Sequence, residues 1–63
     1  MILRLKGELG PDSLREAERA VILRALKSSG GHAETAAILL GIGASTMYRK
    51  IVEHEITEQE RGG

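Results

Sequence analysis

The sequence predicts an all-α fold, a small helical domain in which one long helix precedes two short ones meeting at a glycine turn. Three observations predict it. From Ser13 to Ser28, Leu14, Ala17, Val21, Ile22, Ala25 and Leu26 recur at the spacing of an amphipathic helix, about 3.6 residues. From Thr35 to Val52, two shorter runs of the same period are separated by Gly41-Ile42-Gly43. With 63 residues there is room for a single domain around one thin core.

Composition limits what that domain can be. One Tyr, no Phe and no Trp leave Leu, Ile, Val and Ala to build the core, so a second subunit is an expected source of stability. Nine basic residues balance nine acidic ones, so any surface for a polyanion must be local. There is no cysteine, hence no disulfide and no thiolate metal site, which is compatible with a cytoplasmic protein. No apolar run approaches the roughly 18 to 20 residues of a membrane span. Arg4, Lys6 and Glu8 interrupt the N-terminal apolar residues, unlike a secretory signal.

Taken in order, Met1 to Gly10 reads as an arm, as a helix with Ile2, Leu5 and Leu9 on one side, or as a strand. A lone strand would have to pair with a second chain. Gly10-Pro11-Asp12 breaks whatever precedes it, and Ser13 with Glu16 three positions on reads as a capping box. In the long helix, Ala20 and Leu23 lie away from the main stripe, either solvent-facing or as a second partner surface. They are the candidate dimer contacts. Ser28-Ser29-Gly30-Gly31 stops the helix, and His32 stands as a weak N-cap or surface residue before the next. Metal ligation is not expected, because His54 is the only other histidine and no carboxylate cluster accompanies either.

Ala36, Ala37, Leu39 and Leu40 supply the small and branched side chains of the first short helix. Gly41 ends it, since glycine takes the left-handed conformation of such a stop without a Cβ penalty. Ile42 plugs the corner, and Ser45 to His54 resumes as a helix. Two helices joined in this way are the signature of a helix-turn-helix, whose second helix enters a DNA major groove. Projected as a helix, Met47, Tyr48, Ile51 and Val52 cluster inward, and Ser45, Thr46, Arg49, Lys50 and Glu53 outward. Arg49 and Lys50 have the reach for phosphates or guanine edges. Ser45 and Thr46 stand where a helix N-terminus favours a phosphate. Tyr48, at the edge of the inward face, either packs its ring alone or packs it and sends its hydroxyl to a phosphate, and Thr35 either contacts the DNA backbone or assists its own helix cap.

Catalytic chemistry is not indicated. No Ser-His-Asp arrangement with its turn, no phosphate loop and no HExxH occurs, and Gly41-Ile42-Gly43 lacks the preceding strand of a dinucleotide fingerprint. An enzyme, a cofactor and a small-molecule substrate are therefore not expected.

The run Gly30-Gly31-His32, then Ala36-Ala37, Leu40-Gly41-Ile42 and Thr46-Met47-Tyr48-Arg49-Lys50-Ile51, resembles the Fis-type helix-turn-helix, which closes NtrC-type, sigma-54-dependent transcriptional activators of bacteria and forms the nucleoid protein Fis. The preceding AERAVILRAL looks like that family's long helix. The resemblance implies a homodimer through the N-terminal helix and arm, offering two recognition helices to a palindromic site on double-stranded DNA. It also implies a cytoplasmic, nucleoid-associated bacterial protein, either an excised domain or a free-standing one. The expected organisation is an arm or short element at 1–12, the Fis-type domain at 13–56 and a flexible tail at 57–63. His32 stands where the family usually has Asn, Ala44 where it has a DNA-contacting Arg, and Glu55 where it has Gly.

Overall fold

The computed structural model describes residues 12–62, so the arm, helix and strand readings of Met1 to Gly10 lie outside the described residues. Four helices follow one another: α1 Ser13–Ser28, α2 Ala33–Leu40, α3 Ala44–Glu53 and α4 Glu58–Arg61, with no strand among the described residues. α1 packs on α2 and α4, and α2 packs on α3.

The start of α1 differs from expectation. Asp12 is its N-cap, and the Ser13–Glu16 capping box does not form, because Ser13 already lies inside the helix. Asp12 sits at ψ 4° rather than in the extended conformation from which a cap side chain reaches back, and no side-chain cap is present.

α1, α2 and α3 end in one way. The N–H of Gly31 donates to Leu26 O at 2.7 Å, that of Ile42 to Ala37 O at 3.0 Å, and that of Ile56 to Ile51 O at 3.0 Å. Each is the long bond of a Schellman stop, which turns on one left-handed residue. Gly30 and Gly41 fill that place at φ 70° and 72°, while the third is Glu55 at φ 53°. Gly41 and Ile42 therefore act as their residue types suggest.

The core is Ile22, Ala25 and Leu26 of α1, Ala33, Ala36 and Ala37 of α2, Met47 and Ile51 of α3, and Ile56 after it. Three alanines on α2 let both neighbouring helices approach closely, and Leu26 and Met47, fully buried, fill the space between. Leu23, Leu40 and Ile42 pack against this cluster from its rim. The broad α1 stripe is thus narrower than its periodicity implies. Leu14 and Val21 are 84% and 48% exposed, whereas Leu23 turns partly into the core.

Beyond Ile56, in the stretch expected as a tail, the structure has a short helix. Thr57 and Glu60 form a capping box that starts α4. Glu60 is held from α1, where Arg19 Nη2 donates to both its carboxylate oxygens at 2.9 Å. Arg61 Nη2 donates at 3.0 Å to Gly31 O in the turn after α1.

Candidate nucleic-acid interface

α3 is positioned by its two most buried residues, Met47 and Ile51, one helical turn apart against the alanines of α2. Rotation at about 100° per residue then puts Arg49 on the crest opposite the core. Ser45 and Arg49 are exposed there. Tyr48 and Val52, 47% and 76% exposed, occupy one flank of the crest. Val52 was expected to face inward and does not. The helix is turned so that the opposite flank, bearing Lys50 and His54, meets α1 instead.

That α1-facing flank is held by charge. Lys50 Nζ lies 3.1 Å from Glu18 Oε2 and 3.6 Å from Glu53 Oε1. His54 is buried, and its Nε2–H donates to Glu18 Oε1 at 2.6 Å, because an ionised carboxylate only accepts. This leaves His54 Nδ1 buried and without a hydrogen-bond partner. The His54 hydrogen bond first, and Lys50 second, hold the Glu18 carboxyl below its ordinary value of 4.5. The same Glu18 contact raises Lys50 above 10.5. Two α1 arginines cap the carbonyl end of α3: Arg15 Nη2 donates to Glu53 O at 2.7 Å and Arg19 Nε to His54 O at 3.0 Å.

Lys50 is therefore not outward-facing in the manner of Arg49. Its side chain is 27% exposed and engaged with two carboxylates. One premise of the metal reading does not hold, since carboxylates do accompany a histidine: ligand atoms of Glu18, Glu53 and His54 converge to within 4.8 Å of one another. Glu18 lies 36 positions from His54, which is why spacing along the chain gave no sign of the cluster. A cation already stands there: the Lys50 ammonium.

At its other end α3 is open. Its N-cap is Gly43, and no side chain caps the first turn. Ser45 beside that end is exposed and Thr46 half-buried. Thr35 is exposed in the first turn of α2, and it does not cap that helix; nor does the His32 side chain. Ala20 is exposed on α1. Among the described residues Arg24, Lys27 and Arg49 are the cations that enter no ion pair or side-chain hydrogen bond. Arg15, Arg19 and Arg61 hold the fold together.

A family model described as "Bacterial regulatory protein, Fis family" matches residues 13–54. No curated protein and no solved structure matches the chain. The matched span runs from the first residue of α1 to the cap of α3 and takes in the whole helix-turn-helix. On that span, the chain belongs to the Fis family of DNA-binding helix-turn-helix domains.

Proposed function

We propose that the chain binds double-stranded DNA sequence-specifically, as the DNA-binding domain of a bacterial regulator of the sigma-54-dependent activator type. The observation that carries this is Arg49, exposed on the crest of α3 and free of ion pairs among the described residues, on the same helix as the uncapped turn bearing Ser45. Arg49 reads a guanine edge or a phosphate. Ser45, Thr46 and Tyr48 position the helix on the backbone, and Thr35 of α2 meets the backbone alongside. Lys50 joins only when its carboxylates release it.

A homodimer on a palindromic site fits the exposed apolar side chains of α1 and α2. Val21 and Leu39, 48% and 58% exposed, line a groove of about 270 Å³ with Arg24, Ala25, Ser28 and Leu40, and Leu14 of α1 is exposed as well. Ala20 adjoins this surface, and Leu23 contributes only the part not taken by its own core. Two half-sites roughly 34 to 36 Å apart are the expected target. In the cell the protein then sits in the cytoplasm with the nucleoid. No described helix is long and apolar enough to cross a membrane.

A second reading, an interaction module of the same fold with weak DNA contact, is favoured by the Glu18–Lys50–Glu53 pairing and by Ala44. Titration of wild type and Arg49→Ala against palindromic and random duplexes at several salt concentrations separates the two. DNA binding predicts a loss of about 1 to 3 kcal/mol and a shallower salt slope. Equal affinities and slopes would select the interaction module.

A further inference from the structure

The exposed surface of α3 is lopsided. Ala44, Tyr48 and Val52, at i, i+4 and i+8, form a ridge on the flank turned away from α1, and all three are exposed. Val52 is 76% exposed and Tyr48 47%, although a valine at that place in an ordinary amphipathic helix would be inside. Along the crest beside the ridge run Ser45 and Arg49. The cation of the other flank, Lys50, is neutralised by Glu18 and Glu53. What α3 offers to a groove is therefore one free guanidinium, the hydroxyls of Ser45, Thr46 and Tyr48, and a row of apolar groups.

We infer that the Ala44–Tyr48–Val52 ridge reads thymine C5-methyl groups, so that this chain selects sites with thymines placed beside the base contacted by Arg49. This rests on the proposed function, in which α3 is the reading helix. The major groove distinguishes the four base pairs by donors, acceptors and the one apolar mark it carries, the thymine methyl. Ala44 to Val52 spans about 12 Å at roughly 1.5 Å per residue, about the width of that groove. Continuity with the Ser45–Arg49 crest makes a groove floor, rather than a second copy of the chain, the occupant of the ridge. Apart from the Tyr48 hydroxyl, a ridge without charge adds nothing to non-specific phosphate attraction. It contributes only where methyl groups meet it, which converts a weakly charged helix into a discriminating one.

The test uses the full 63-residue chain. Duplexes are selected from a random-core pool, and the enriched duplex is titrated by fluorescence anisotropy beside a copy carrying deoxyuridine for every thymidine. Wild type is expected to bind the deoxyuridine copy about fourfold more weakly for each methyl the ridge covers. Val52→Ser, at an exposed position that leaves the core intact, should shrink that ratio while retaining binding. Equal affinity for the two duplexes, an enriched site poor in thymine, or the same ratio in Val52→Ser and wild type would overturn the inference while leaving DNA binding in place. Absence of any duplex binding at low salt would remove both the inference and the proposed function.

Discussion

Glu55→Gly is expected to make the domain more stable, although it deletes a whole side chain. Glu55 holds φ 53° at the stop of α3, the place filled by glycine at the ends of α1 and α2. An L-residue in the left-handed region costs roughly 1 to 2 kcal/mol through crowding of Cβ against the carbonyl. Glycine returns about 0.5 to 1 kcal/mol of this in lost backbone freedom, so relief of strain nets on the order of 0.5 to 1 kcal/mol. A carboxylate at the negative end of the α3 dipole costs roughly another 0.3 to 1 kcal/mol. The Glu55 side chain is exposed and makes no hydrogen bond among the described residues, and the backbone N–H bond to Val52 O at 3.0 Å is kept by glycine, so little packing is lost. The sum is about 0.8 to 2 kcal/mol, which in a domain this small raises Tm by about 4 to 8 °C per kcal/mol. Thermal and urea unfolding followed by circular dichroism measures it. Glu55→Ala is the decisive control, because it removes the charge and keeps the Cβ. Alanine should recover only the dipole part, with glycine above it. Alanine equal to or above glycine would refute the strain argument.

Other outcomes follow from the same contacts. Glu18→Gln releases Lys50 from its stronger carboxylate contact; DNA affinity should rise and the salt slope steepen by about 0.9 per lysine reaching a phosphate, and an unchanged slope would mean that Lys50 is already on DNA. Glu18 and Glu60 are both held below their ordinary value of 4.5, the latter first by the Thr57 N–H and then by Arg19. Because their folded values are lowered, their stabilisation is complete above 4.5 and is lost as pH falls through the lowered values. The unfolding temperature should therefore drop in that acid range, and the drop should shrink in a Glu18→Gln, Glu60→Gln double variant. Val21→Glu on the exposed α1 face should yield monomers in sedimentation, whereas Leu23→Glu, which disturbs the core rim, should chiefly lower stability. A dimer that survives Val21→Glu would place the subunit contact elsewhere.

The residues themselves determined where helices exist and stop. The α1 span, the left-handed Gly41 and the apolar plug Ile42 were legible, because each depends on local spacing and on backbone angles that a single residue type prefers. Chain order could not decide which way each helix is rotated about its own axis. A projection gives the order of residues around α3 but not the centre of its buried stripe, and that centre depends on what α1 and α2 present to it. Hence spacing alone finds Met47 and Ile51 in the core, whereas the outward Val52 and the pairing of Lys50 with Glu18 depend on how α3 is seated. The same applies to the capping box: two stretches spell the pattern, and only the one anchored by Arg19, 41 positions away, closes. Tertiary structure decided these matters because hydrogen bonds and ion pairs between distant residues act only once the helices have met.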